Sequence, residues 1–214
     1  MCITLGLDGL REYVSMLSDI ATGAAALTAA VVAVVGLQTW KKQLTGKSEY
    51  DVARRLLRSV YQVRQAIRFV RNPFISAGET SQALRESDVE IEPKDWEFHE
   101  VSQQAVYASR WQRVQDALSA LDVEAFEAEV LWGSDVTETL GPLRRCISQL
   151  GVHIQLHLTG QMRPHRGRVD PETAQRIRQV IHETSDKSGQ EGFTAELAQA
   201  VENVEKYIRP RLKP

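Results

Sequence analysis

The stretch from Ile20 to Trp40 is the longest run in the chain without a charged side chain, and most of its residues are apolar. As a helix rising about 1.5 Å per residue it spans roughly 31 Å, close to the roughly 30 Å hydrocarbon thickness of a bilayer. Trp40 is followed by Lys41, Lys42 and Lys47. An aromatic side chain followed by lysines is typical of a membrane interface. The run therefore predicts one membrane-spanning helix in contact with the lipid bilayer.

The flanking charges predict the orientation of this helix. Residues 1–19 contain Arg11 as their only basic side chain, whereas lysines follow the span. Because basic residues stay in the cytoplasm, the N-terminus is expected outside and the C-terminal part inside. Two alternatives remain open. Seven alanines make the run weakly apolar, and a weakly apolar run also suits a helix buried in a soluble bundle. The other alternative is a cleaved signal peptide, which would need a positive N-terminal region.

Small side chains recur along one face of the predicted span. The positions are Ala21, Ala25, Ala29, Ala33 and Gly36. Such a face lets two helix backbones approach closely, which predicts helix–helix packing in the membrane and a homo-oligomer. The alternative is that the run is simply rich in alanine, so that small side chains would line any face of the helix.

After the span, apolar residues recur at steps of three and four, and no segment shows sustained two-residue alternation. The predicted fold class is all-α, with one N-terminal transmembrane helix followed by an irregular cytoplasmic helical bundle of five or six helices. We divide the chain into an extracytoplasmic segment (1–19), the span (20–40), a juxtamembrane linker (41–48) and a cytoplasmic domain (49–214) with a long loop near 72–93. Helices are predicted over 49–71, 95–121, 122–132, 142–160, from Asp170 and Pro171 onward, and over 193–208.

A basic face is predicted on the first helix of the cytoplasmic domain. Its members are Arg54, Arg58, Arg64, Arg68 and Arg71. They can pair with an acidic tract of the same chain or with an acidic protein partner. The tract comprises Glu86, Asp88, Glu90, Glu92, Asp95, Glu97 and Glu100. The net charge of -2 argues against a surface that binds nucleic acid throughout.

Few residues suggest a catalytic, metal-binding or cofactor-binding site. His153 and His157 lie one helical turn apart, which can hold a metal ion when a third ligand comes from elsewhere; a histidine packed in a helix seam is the alternative. Cys2 and Cys146 fall on opposite sides of the predicted membrane, so no disulfide is expected. No nucleotide, cofactor or hydrolase motif is present, and no cofactor is predicted.

Two resemblances follow from particular residues. The run TWKKQLTGKSEYDVARRLLRSVYQVRQAIRFVRNPF, from Thr39 to Phe74, resembles the juxtamembrane stretch of uncharacterised bacterial single-span proteins, and LWG at 131–133 is also similar. This implies a bacterial inner (plasma) membrane location and no particular activity. Arg176 and His182 have a spacing similar to the arginine and histidine of HEPN ribonucleases, which are dimeric helical bundles; Ile177 departs from that pattern.

Three functions are therefore compatible with the sequence. The first is a membrane-anchored, non-catalytic interaction module that binds a protein partner or its own copies. The second is a self-assembling effector that perturbs the membrane, as in bacterial defence. The third is a membrane-tethered HEPN-like ribonuclease or metal enzyme.

Overall fold

The computed structural model describes residues 4–87, 98–161, 170–183 and 192–212, and these residues form helices and turns without a strand. The elements are α1 (Thr4–Val70), α2 (Ala77–Glu86), α3 (Phe98–Trp132), α4 (Asp135–Gln161), α5 (Pro171–Ile181), α6 (Phe193–Ile208) and a closing 3-10 turn (Arg209–Leu212). The predicted all-α class is confirmed.

The chain divides into two compact units, Met1–Ser48 and Glu49–Pro214. The first unit is helical and contains the described chain's one stretch that is long and apolar enough to cross a membrane; none of that stretch is buried. Residues 41–48, predicted as a linker, are helical as well. A single glycine costs a helix only about 1 kcal/mol, and Gln43, Leu44 and Lys47 near Gly46 are good helix formers.

The second unit is a helical bundle that packs around one apolar face of α1, called the seam below. Its six seam residues are no more than 1 % exposed: Ala53, Leu56, Val60, Val63, Ile67 and Val70. They share one core with Leu140, Leu143 and Leu150 of α4 and with Val201 and Val204 of α6. The predicted burial of the seam is confirmed.

The two helices predicted over 95–121 and 122–132 are one helix, α3. Asp122 does not cap a new helix; it accepts a hydrogen bond from Arg144 at 2.7 Å. The buried register runs through Leu121, Ala125 and Ala128, which leaves Phe126 and Val130 65 % and 86 % exposed. The predicted stop at Gly133 is confirmed, since this glycine has a φ of 79°.

The predicted loop near 72–93 contains α2. Ser76 caps it by accepting a hydrogen bond from the Glu79 backbone N–H at 3.2 Å. Ser76 and Glu79 match the Ser-x-x-Glu pattern of a capping box, a signal that the sequence analysis missed. Residues 88–93 lie outside the described part of the chain.

Pro142 also departs from its prediction, because α4 begins at Asp135 and the proline lies inside the helix rather than in its first turn. The predicted start of α5 is confirmed: Asp170 accepts from the Thr173 N–H at 2.9 Å, and Pro171 opens the helix. The predicted range of α6 is confirmed too.

Candidate interaction surface

The predicted basic face of α1 is split by burial. Arg54, Arg58, Arg64 and Arg68 are exposed and are called the arginine surface below. Arg71 is only 2 % exposed, so its assignment to a partner-binding face is wrong. It follows Ala53 of the buried seam by about five helical turns at 3.6 residues per turn, which returns its side chain to the core side.

The arginine surface makes few contacts within the described chain. The Arg64 guanidinium lies 4.7 Å from the centre of the Tyr61 ring. The Nε of Arg68 is 3.7 Å from a carboxylate oxygen of Glu183, and the two side chains are 58 % and 38 % exposed. Arg54 and Arg58 make no ion pair or hydrogen bond through their side chains with the described residues. Exposed pairs contribute little stability, so these cations remain available to a partner.

The predicted pairing of this surface with the acidic tract stays a prediction. Asp88, Glu90, Glu92, Asp95 and Glu97 lie outside the described residues. Glu86 accepts hydrogen bonds from Gln82 and Ser109, which lower the pKa of its carboxyl group.

Arg55 is not a member of the predicted basic face, and it joins α1 to α3. Its Nε is 2.8 Å from Glu124, and it also binds Glu127. The hydrogen bond to Glu124 is the main cause that raises the pKa of Arg55. The acids that neutralise an α1 arginine therefore come from α3.

Arg71 instead serves a structural role at the C-terminal end of α5. Its guanidinium donates to the backbone carbonyls of Val180 (2.8 Å), Gln179 (3.2 Å) and His182 (3.1 Å). It also donates to the hydroxyl of Thr194, in the first turn of α6, at 3.0 Å. Because the last carbonyls of a helix lack intrahelical partners, a buried cation satisfies them well. Burial lowers the pKa of Arg71.

Arg110 is a second buried arginine, 1 % exposed, that the sequence analysis did not single out. It contacts both carboxylate oxygens of Glu79 at 2.6 and 2.9 Å and the carbonyls of Asn72 and Phe74 at 2.6 and 2.8 Å. The hydrogen bond from Arg110 lowers the pKa of Glu79. Its position one turn after Tyr107, on the buried side of α3, was the available signal.

The two histidines predicted as candidate metal ligands, His153 and His157, lie in different surroundings. His153 lies with its Nδ1 2.8 Å from the Gln149 carbonyl of its own helix. The His157 ring packs edge-on to Tyr107 and His182, with ring centres 6.0 and 6.3 Å away. No group of three metal-binding side chains occurs in the part of the chain that the structure describes. His157 therefore fits the alternative of a histidine in a helix seam.

The candidate ribonuclease pair is not brought together by any contact in the described residues. Arg176 has a 72 % exposed side chain and lies 3.6 Å from Glu172 on the same helix. His182 follows the last residue of α5 and packs against His157. The structure thus gives the resemblance to HEPN ribonucleases no support.

The predicted membrane-facing residues are exposed within their own unit. These are Ala25, Ala29, Ala33, Gly36, Trp40, Lys41, Lys42 and Lys47. A Cβ added at Gly36 would meet nothing within 4 Å. The side chain of Ala21 lies outside the described part. Among the described members of the small face, Ala25, Ala29, Ala33 and Gly36 are therefore left uncovered by their own unit.

Comparison with known proteins gives no independent assignment. No family model, no curated protein and no solved structure matches this chain. The function must therefore be argued from the surface itself.

Proposed function

We propose that the protein is a membrane-anchored helical interaction module whose arginine surface binds an acidic protein partner on the cytoplasmic side. Residues 20–40 form the anchor in a bacterial inner membrane, with the N-terminus outside. The observation that carries the proposal is the exposure of Arg54 and Arg58 without an ion pair to the described residues. On the same helix turn, Arg55 is already neutralised by Glu124 and Glu127.

Two features support a binding role for this surface. The seam from Ala53 to Val70 is buried in one core with residues of α4 and α6, and the four arginines are not part of that core. The exposed arginines therefore contribute little to folding and are available for recognition. Arginine also suits carboxylate partners, since its planar guanidinium can donate two parallel hydrogen bonds.

The anchor is tested by placing charge inside or outside the predicted span. Leu27 and Leu44 are 71 % and 63 % exposed, and only Leu27 lies within residues 20–40. A lysine near the centre of a span costs insertion about 2.5–3.5 kcal/mol, which is large for an alanine-rich run. We expect alkaline carbonate to extract Leu27→Lys from membranes, whereas wild type and Leu44→Lys stay in the pellet. Release of the wild-type protein by carbonate would contradict the proposal that residues 20–40 anchor it in the membrane.

The arginine surface is tested with charge reversal. Full-length protein in nanodiscs of zwitterionic lipid is titrated with a short fluorescein-labelled polyglutamate peptide, and binding is followed by anisotropy. The double variant Arg54→Glu/Arg58→Glu should weaken binding about tenfold or more, because each reversed charge replaces attraction by repulsion. Added salt should weaken wild-type binding in the same direction.

A matched control separates this surface from net charge. Arg176 on α5 is similarly exposed and contacts only Glu172 of its own helix among the described residues. Arg176→Glu/Arg178→Glu changes the net charge as much as the α1 double variant does. Equal weakening by both double variants, or unchanged affinity after reversal on α1, would contradict the proposed surface.

A further inference from the structure

Two histidines meet where α5 ends, beside the buried guanidinium of Arg71. The ring of His182, the residue after α5, lies edge-on to His157 of α4 with ring centres 6.3 Å apart. His157 in turn packs against Tyr107 of α3 at 6.0 Å. Arg71 donates to the carbonyl of His182 itself at 3.1 Å. The cluster therefore connects α1, α3, α4 and α5 at one point.

The hydrogen bonding of His182 favours its neutral form. Its Nδ1 is buried and has no hydrogen-bond partner among the residues that the structure describes. A neutral imidazole can leave that nitrogen unprotonated, whereas an imidazolium must donate from both ring nitrogens. Protonation would thus create a buried donor without an acceptor, which is costly.

The charges around the cluster act in the same direction. α1 contributes Arg71, α3 contributes Arg110 and the neutral Tyr107, and α5 contributes Arg178. Towards this cluster α6 contributes Phe193, over which Arg71 lies, and Thr194, and neither is charged. Glu183 is the acid beside His182, and its carboxylate lies 3.7 Å from Arg68. A proton on His182 would add positive charge beside Arg71 and Arg110, which the fold already buries.

We propose that His157 and His182 form a proton-operated latch that holds α5 on the bundle when both rings are neutral and releases it when they are protonated. Release breaks the contacts of Arg71 with the α5 carbonyls and separates α5 from α4. It also exposes the buried face of α5, which consists of Ile177, Val180 and Ile181. Mild acid therefore converts a covered apolar face into an accessible one.

The direction of the pH dependence follows from the two states. Burial is the main cause that lowers the pKa of both His157 and His182 in the docked state, followed by the neighbouring positive charges. The released rings return towards the ordinary pKa of about 6.5. Docking is thus fully favourable above that pH and weakens as the pH falls below it. Each histidine raises the opening equilibrium by at most about tenfold per pH unit.

Hydrogen–deuterium exchange of the full chain in nanodiscs tests the latch at pH 7.5 and 5.5, with rates corrected for the intrinsic pH dependence of exchange. We expect opening of α5 amides to increase about tenfold or more at the lower pH, while α6 amides keep their protection. His157→Gln/His182→Gln should remove most of this increase. His153→Gln, one turn earlier on α4, should retain it.

Three outcomes would overturn the latch. These are wild-type α5 protection that does not change with pH, an equal loss of protection in α6, and an unchanged pH response in the double variant. Should the double variant fail to fold, NMR titration of wild-type histidines decides. Midpoints of His157 and His182 below 6.5 support the latch, and midpoints at or above 6.5 exclude it.

Discussion

Replacing Arg71 with methionine is expected to lower the free energy of unfolding of the helical unit by about 3–5 kcal/mol. The methionine preserves much of the apolar stem but removes the donors that reach the backbone carbonyls of Gln179, Val180 and His182 and the Thr194 hydroxyl. The contact with Val180 is buried and the other two carbonyl contacts are partly buried, so the desolvation of these groups is no longer compensated. Urea titration of the full chain in detergent micelles, followed by tryptophan fluorescence, measures the change.

Two variants show whether this effect comes from the hydrogen bonds. Arg71→Lys retains a positive charge but lacks the planar fork, so it should recover only part of the lost stability. Arg54→Met makes the same chemical change on the exposed side of α1 and should cost no more than about 0.5 kcal/mol. A stability loss for Arg54→Met equal to that for Arg71→Met would refute the buried role of Arg71.

The difference between these arginines shows what helical periodicity can predict. The seam of α1, the cap of α5 and the extent of α6 follow from local signals, namely steps of three and four, an Asp-Pro start and a run between Phe193 and Ile208. Arg71 was assigned by charge rather than by register. Its position about five turns after Ala53 would have placed it inward.

Other differences depend on contacts between helices that no local pattern contains. Phe126 and Val130 form an apolar pattern as good as that of Leu121, Ala125 and Ala128, yet only the second set is buried. Ala125 and Ala128 lie in the core, and Arg55 of α1 binds Glu124 and Glu127 of the same helix. Hydrophobicity alone predicts the larger residues to be inside.

For a similar reason, the prediction of the basic face was only partly correct. The sequence shows where arginines lie on α1, but the partners of each arginine come from distant segments: α3 for Arg55 and the end of α5 for Arg71. Pairing across such separations cannot be read from spacing along one helix. The acidic tract lies nearer in sequence than Glu124 and Glu127, the acids that Arg55 binds and that follow it by 69 and 72 residues.

Removal of Arg110 is the other change for which we expect a large effect. Arg110→Met should lower the free energy of unfolding by about 3 kcal/mol, at the lower end of the range for a broken buried pair. The side chain of Glu79 is 25 % exposed, so water can partly solvate the carboxylate that loses its partner. The carbonyls of Asn72 and Phe74 lose their donor as well, which should loosen the connection into α2.

The pH dependence of Arg110→Met gives a second readout with a definite sign. The hydrogen bond from Arg110 lowers the pKa of Glu79 in the folded state. The pair therefore stabilises the wild type above the ordinary glutamate pKa of about 4.3, and this contribution is lost as the pH falls below it. In Arg110→Met that part of the acid sensitivity should disappear, so the difference in unfolding free energy between the two proteins should shrink as the pH falls below about 4.3.

A double-mutant cycle with Glu79→Gln then isolates the pair from the carbonyl contacts. If the carboxylate supplies most of the interaction, Arg110→Met should cost much less in the Glu79→Gln background than in the wild type. Arg113→Met is the matched control, because Arg113 stands one turn later and lies over the same Phe69 ring, with a guanidinium–ring distance of 4.5 Å. An exposed cation–π contact is worth about 0.5–1 kcal/mol, so this variant should lose little stability and keep the acid sensitivity. Additive costs for Arg110→Met and Glu79→Gln would show instead that Arg110 acts mainly through the backbone carbonyls.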